Sequence, residues 1–521
     1  MLDRRTFLHQ LGYGSLGLTS LLKLSACSVD VATPLAGGLY TPESQGVSSQ
    51  GLIDFLQAAN ESELEFHSIM INRNGKTILE GWWHPFDKSY IHTLYSLSKS
   101  FCATAIGMLQ DDGKLSVEDQ VISYFPDHLP TTVSDHLAAM RIYDLLTMHT
   151  GHTEGTLDAM RESEDGDWAK AFLSQDPPKA PGTHFMYNTG ATYMLSAIVQ
   201  AVSGQKLIDF LRPRLLEPLG IEGADWEECP KGINVGGYGF RVRTQDILNF
   251  GQLYLQKGYW KGKQLVSAKW IEEATKKQVE SNENESDWGQ GYGYQFWRCK
   301  PGCYRGDGAF GQFCIVVPEK DAVIVITSES KDMGASMKLV WDHILPAMKD
   351  HELKDELVAS YENLFTLTSS LQLPILSQSV KENIQETIAG NQYHFEENDS
   401  GVERLSFRFS DDQCELLFLE KGKEASIKSG HQSWITADNH KAANALFSLP
   451  GRSPMPSRIS SYYHWKDKQT LEVEMKSVDA IHSDIFIFSF QEKGLELSFS
   501  NSLSRMYEQA DDRESVSATM R

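Results

Sequence analysis

A chain of 521 residues and 58.5 kDa exceeds an ordinary single domain, so two or three folded units are expected. Its 41% hydrophobic content with 10% aromatics can fill packed cores, which excludes a disordered chain. A formal net charge of -22 excludes nucleic acid as a partner, because phosphate backbones require a basic surface.

The first 27 residues read as an export signal. Asp3-Arg4-Arg5-Thr6-Phe7-Leu8 places an arginine pair ahead of two apolar residues, and a Gly-rich apolar run follows from Leu11 to Leu24. That run is shorter than the roughly 20 residues a membrane-spanning helix needs, so it suits a removable signal. The arginine pair resembles a twin-arginine signal, and Leu24-Ser25-Ala26-Cys27 resembles a bacterial lipoprotein box. Together they predict cleavage that leaves a lipidated Cys27, a membrane anchor and a periplasmic or extracellular location. The alternative is a Sec-type signal with an incidental cysteine. Residues 28–50 are rich in Ser, Gly and Pro and read as a tether.

A short helix is expected from Leu52 to Ala59. Strands at Phe66–Ile71 and Thr77–Trp83 follow, joined by the turn residues Arg73-Asn74-Gly75. Ser96 to Gln110 has a helical pattern, with Gly113 as its stop. Residues 115 to about 285 read as mostly helical, including Ala191–Val202 and Thr244–Gln256. Strand character returns at Tyr292–Trp297, Gln312–Val317 and Ala322–Thr327, and Pro318-Glu319-Lys320-Asp321 turns the last two into a hairpin. A helix near Ala335–Met348 closes this block. Early and late strands therefore bracket a helical insertion, which assembles most economically as an antiparallel sheet covered by helices. Beyond residue 364 the chain changes to short alternating stretches such as Leu405–Phe409, Cys414–Leu419, Leu471–Met475 and Ile485–Phe490. These read as a β domain, of sandwich or barrel type, over 365–521.

Seven cysteines give no zinc spacing. Cys299 and Cys303 flank the turn Lys300-Pro301-Gly302, where either a bridge or two free thiols would fit.

Three elements carry chemistry. In Ser96-Leu97-Ser98-Lys99 the serine and lysine stand one helical turn apart on one face. Serine needs an adjacent base, and lysine can be one if burial brings its amine from about 10.4 towards neutrality. The helix N-terminus aims backbone N–H groups at an oxyanion forming beside Ser96. The same bare spacing recurs at Ser20–Lys23 and Ser328–Lys331, but only Ser96 opens a long apolar helix after a strand hairpin. The second element, Tyr187-Asn188-Thr189-Gly190, offers a phenol that can relay a proton. The third, Gly306-Asp307-Gly308-Ala309-Phe310-Gly311-Gln312, lets backbone approach a ligand, with the Ala309 N–H as a second oxyanion donor. His149 and His152 are read as bonding local backbone groups rather than as catalysts.

In this order the three elements resemble those of serine hydrolases related to class C β-lactamases, a group that includes penicillin-binding DD-peptidases, esterases and amide hydrolases. The resemblance spans about residues 50 to 350. It also rests on Leu145-Leu146-Thr147-Met148-His149-Thr150-Gly151-His152, Gly237-Tyr238-Gly239 with Asp246, and Pro318-Glu319-Lys320. It implies an α/β fold of the β-lactamase/DD-peptidase type over 51–364: an antiparallel sheet flanked by helices, an inserted helical lobe, and the site between them. It implies Ser96 as nucleophile, Lys99 as base or proton store, Tyr187 as relay, and oxyanion donors at Ser96 and Ala309.

Two departures shape the expected substrate. The family often has Tyr-x-Asn, whereas Tyr187 is followed by Asn188 and then Thr189, and either could orient a substrate amide. The Lys-Thr-Gly that binds a substrate carboxylate in β-lactamases and DD-peptidases is replaced by Gly306-Asp307-Gly308. Asp307 would repel a carboxylate unless Arg305 turns inward. The reading is therefore an esterase or amidase acting on a small-molecule or peptide substrate, with no metal or organic cofactor required. The alternatives are a DD-peptidase or weak β-lactamase on cell-wall peptides, and an envelope binding protein that keeps the fold without turnover.

Overall fold

Asn74 and Gly75, both with positive φ (51° and 70°), fold the strand β1 (Phe66–Arg73) back onto β2 (Lys76–Trp82). The computed structural model in which this hairpin lies describes residues 39–282, 285–353, 359–375, 379–399, 401–436, 440–441 and 457–521. The expected signal, Cys27 and residues 28–38 of the tether lie outside the described residues. The rest of the tether is not a tether. Glu43, Ser44, Gln45 and Val47 are buried, Tyr40 N–H donates to the Thr77 carbonyl, and the Glu43 carboxylate accepts from Ser49 N–H at 2.7 Å. Val47 and a capping carboxylate give this stretch contacts that its Ser/Gly composition concealed.

Helix α1 (Ser49–Glu61) follows, and the central sheet runs β2-β1-β6-β5-β4-β3. Its late strands are β3 (Trp297–Arg298), β4 (Tyr304–Gly308), β5 (Gln312–Val317) and β6 (Ala322–Ser328). β1 pairs antiparallel with β6, so the strands before and after the helical insertion are joined in one sheet. Side chains on a strand alternate between faces. Ile69, Ile71, Ile324 and Ile326 accordingly pack with α1, while Met70, Val323 and Val325 join the core of the helical lobe. That lobe contains α2 (Ser98–Asp111), α3 (Thr189–Ser203) and α4 (Thr244–Leu255). The strand expected at Tyr292–Trp297 is largely a loop. Gly291 and Gln295 have positive φ, and Gly293 N–H turns back to the Phe296 carbonyl, so only the end of this stretch reaches the sheet, as β3. Gly306-Asp307-Gly308 lies inside β4 itself.

The helix Ala359–Ser369 spans the boundary expected at 365 and buries Leu364 with the α1 side of the first body. The C-terminal strands are β7 (Gln392–Phe395), β8 (Val402–Ser410), β9 (Gln413–Glu420), β10 (Lys423–His431), β11 (Ser457–Trp465), β12 (Thr470–Ser477), β13 (Ser483–Gln491), β14 (Gly494–Asn501) and β15 (Val516–Met520). They run in the order β10-β9-β8-β7-β15-β14-β13-β12-β11. Parallel pairing of Gly430 and His431 with Tyr462 and Tyr463 closes the sheet on itself, so the β domain is a barrel. Its interior is filled by Leu405, Phe407, Leu416, Phe418, Phe486, Phe488 and Leu497. Among the described residues no helix is long and apolar enough to cross a membrane.

Candidate active site

Tyr95–Leu97 forms a single 3-10 turn that runs directly into α2, placing Ser96 at the mouth of that helix and Lys99 one turn along it. Lys99 is 1% exposed, and its Nζ donates to Ser96 Oγ at 2.9 Å, the Gly237 carbonyl at 2.8 Å and Thr189 Oγ1 at 3.2 Å. Burial disfavours the ammonium and brings the amine down to about 7, against the opposing pull of Asp307 and Cys102. A protonated Lys99 donates to all three oxygens. Once neutral, it can accept the Ser96 proton along the same 2.9 Å line.

Tyr187 reaches this pair from just before α3. Lys99 Nζ lies 5.0 Å from the centre of its ring, which stacks on Trp297 at 5.4 Å and meets Tyr292 edge-on. Burial and the charge of Asp307 push the phenol up, while its hydrogen bond with Ser96 acts the other way. It is therefore a phenol, not a phenolate, at neutral pH. The structure thus brings together the hydroxyl, amine and phenol of two chain segments some ninety positions apart.

The neighbours of Tyr187 divide the work. Asn188 is wholly buried; its Oδ1 accepts from Gly190 N–H, Thr156 N–H and Thr156 Oγ1, capping α3 and tying it to residue 156. Thr189 is the one whose side chain reaches Lys99.

β4 closes the site from the other side, and its glycines set the approach. A Cβ on Gly308 would stand 2.0 Å from the Leu94 carbonyl oxygen and 3.1 Å from Ser96 N. One on Gly306 would stand 2.4 Å from Leu97 Cδ1. The end of β4 thus lies directly against the Ser96 amide, and Ala309 follows it. Gln312 Nε2 donates to the Ala309 carbonyl at 3.0 Å, and Ser328 Oγ donates to the Phe310 carbonyl, pinning this turn to β6.

Asp307 does not face the cleft as a free charge. Arg305 turns inward, fully buried, and its Nε donates to Asp307 Oδ2 at 3.0 Å; Trp288 Nε1 donates to the same oxygen at 3.0 Å. Burial raises the Asp307 carboxyl and Arg305 resists that rise. The guanidinium is committed to this carboxylate, to the Asp287 carbonyl and to Cys299 Sγ. Cys299 and Cys303 are free buried thiols, as are the other four described cysteines.

His149 bonds the Thr147 carbonyl, and His152 bonds Thr150 Oγ1 and the Gln175 carbonyl, which are the local backbone-holding tasks expected of them. The Gly237 carbonyl and Trp288 are parts of the site that the sequence did not reveal. Gly237 belongs to a motif that was legible as a family mark, but nothing in a glycine's identity announces a carbonyl acceptor.

The profile of the Beta-lactamase family matches residues 64–349. A 6-aminohexanoate-dimer hydrolase of Paenarthrobacter ureafaciens is 24% identical over 291 residues, covering 51% of this chain and 73% of that protein. Penicillin-binding protein 4 of Amycolatopsis lactamdurans is 26% identical over 277 residues, covering 44% of this chain and 70% of that protein. Among solved structures, a family VIII carboxylesterase is 16% identical and aligns over 60% of this chain and 99% of its own, with a TM-score of 0.47.

Proposed function

Since the chain belongs to the Beta-lactamase family of serine hydrolases, we propose that it forms an acyl-enzyme on Ser96 and hydrolyses an ester or amide. One observation carries this reading: the Lys99 amine, brought to about 7, stands 2.9 Å from Ser96 Oγ. Lys99 takes the Ser96 proton as the oxygen attacks the carbonyl carbon. The oxyanion that results is held by the Ser96 and Ala309 N–H groups. As the tetrahedral species collapses, the Tyr187 phenol gives its proton to the leaving oxygen or nitrogen and regains one from Lys99. Water then attacks the acyl-enzyme with the same groups in reverse order, releasing the acid and restoring Ser96.

The buried Arg305–Asp307 pair favours a substrate without a carboxylate at that end of the cleft. Its guanidinium is already paired, and no lysine stands where a carboxylate-binding Lys-Thr-Gly would place one. The likeness to a 6-aminohexanoate-dimer hydrolase makes linear amides the first class to try beside simple esters. Cell-wall peptidase chemistry is the less favoured reading for the same reason.

Incubation with a fluorophosphonate and with p-nitrophenyl butyrate, followed by peptide mass mapping, tests the assignment. A mass increment on the peptide containing Ser96, with release of p-nitrophenol, is expected. An unlabelled protein, or a label on any other serine, overturns it.

The Leu24-Ser25-Ala26-Cys27 box and the arginine pair support export and a lipid anchor at Cys27. In a bacterial host the full chain is expected in the membrane fraction, and the Cys27→Ala variant in the soluble fraction. Equal fractionation of the two sinks the anchor.

A further inference from the structure

The two residues that adjoin the proposed oxyanion donors are bulky aromatics in a left-handed backbone conformation. Tyr95, directly before Ser96, has φ 48°, and Phe310, directly after Ala309, has φ 67°. Side chains of this size are strained there and persist only where their surroundings hold them. Their rings meet at 5.3 Å.

What holds them comes from the barrel. His482, in the turn between β12 and β13, has Nε2 2.5 Å from the Tyr95 hydroxyl. Its ring packs edge-on against both aromatics, 6.0 Å from Tyr95 and 5.3 Å from Phe310. Its Nδ1 donates to Glu329 Oε1 at 2.6 Å, and Glu329 directly follows β6.

From Glu329 the contacts continue. Lys476 of the barrel donates to Glu329 Oε2 at 2.9 Å and to Glu65 Oε1 at 2.5 Å. Glu65 Oε1 meets His67 Nε2 at 2.8 Å, and His67 Nδ1 meets His92 Nε2 at 2.8 Å. Side chains therefore form a ring that leaves the backbone at residue 92 and returns at residue 95, gripping the segment that leads into the nucleophile. Burial opposes the charges on Glu329 and Lys476, but their mutual attraction prevails, holding the carboxyl well below its usual range and the ammonium above its own. Glu65, His67 and Glu329 gather ligand atoms closely enough for a metal ion. The Lys476 ammonium already stands against both carboxylates, so the ring carries its own cation.

We propose that His482 is a positioning residue for acylation, through which the barrel domain fixes Tyr95 and Phe310 and with them the Ser96 and Ala309 amides. This rests on the reading of Ser96 as the nucleophile. The barrel is then part of the catalytic apparatus rather than a passive appendage. In this role His482 acts through the two aromatics it packs against.

The test uses the full chain, the variants His482→Ala, His482→Gln, Tyr95→Phe and the double His482→Ala/Tyr95→Phe, and His464→Ala as a control. Readouts are kcat and KM on p-nitrophenyl butyrate, the rate constant for phosphonylation of Ser96, and thermal melting. His482→Ala and Tyr95→Phe are each expected to lower kcat and the phosphonylation rate by roughly 10- to 100-fold with KM little changed. His482→Gln should recover part of the loss. The double variant should be no slower than the slower single, because both break one contact. His464→Ala, which removes a barrel histidine paired with Glu472 outside the ring, should keep wild-type rates. If His482→Ala does not fold, Tyr95→Phe, which loses one oxygen atom, decides alone. Wild-type rates in Tyr95→Phe, or additive losses in the double variant, overturn the inference. A wild type that is phosphonylated at Ser96 but hydrolyses no ester overturns the substrate reading instead, and the phosphonylation rates still decide the role of His482.

Discussion

Replacing Lys99 with methionine is expected to lower kcat by about 100- to 10,000-fold, the usual cost of removing a positioned general base. In the wild type, kcat/KM should rise with pH through about 7, because only the neutral amine can take the Ser96 proton and burial sets its titration there. Below that point the rate should fall about tenfold per pH unit. Stability should move in a linked way. Between pH 7 and 10.5 the unfolded chain holds the Lys99 proton and the folded chain does not, so wild-type stability rises with pH across that window. Lys99→Met has no such dependence. Its melting temperature, compared with that of the wild type, should therefore be most favourable at pH 7 and lose ground towards pH 10.5. Parallel pH–rate profiles and calorimetric scans check both halves. A wild-type rate that is flat from pH 5 to 8 would remove Lys99 from the role of base.

Gly308→Ala should be the most damaging single methyl group in the site. Its Cβ would fall 2.0 Å from the Leu94 carbonyl oxygen and 3.1 Å from Ser96 N, and neither backbone atom can rotate away as a side chain would. Either β4 moves outward or the Tyr95–Leu97 turn shifts, and the Ser96 and Ala309 amides no longer face one point. Overpacking of this kind costs about 1–3 kcal/mol of stability, and displacement of the oxyanion donors by about 1 Å lowers kcat by roughly 100-fold. Steady-state kinetics with urea denaturation measure the two effects. Gly302→Ala provides the comparison, since a Cβ there meets no atom within 4 Å, although its φ of 79° carries its own strain. Activity in Gly308→Ala equal to that of Gly302→Ala would show that β4 does not set the donors.

The contrast between these two residues marks what each level of description decides. A serine and a lysine three positions apart at the start of an apolar helix share a face whatever surrounds them, because the helical repeat is local. The hairpin turn at Asn74-Gly75 and the alternation of the barrel strands are local in the same sense. The sheet could be assembled from such patterns, whereas the stretch 292–297 could not, since Gly291 before it and Gly293 within it admit both a strand and a loop. The titration of Lys99 depends on the lobe and sheet that exclude water from it, and the inward turn of Arg305 depends on Asp307 and Trp288. Residues 40–47 looked like tether until Glu43 found the start of α1.

By itself the sequence determined the family, the placing of Ser96 and Lys99 one helical turn apart, and the presence of a second, all-β body. Only the tertiary structure decided that the Gly237 carbonyl and Thr189 hydroxyl complete the lysine's surroundings. It alone placed His482, 387 residues from Tyr95, beside the turn that carries Ser96. Covalent neighbours fix dihedral preference and periodicity, but desolvation, charge pairing and contact between distant segments exist only once the chain has closed around them.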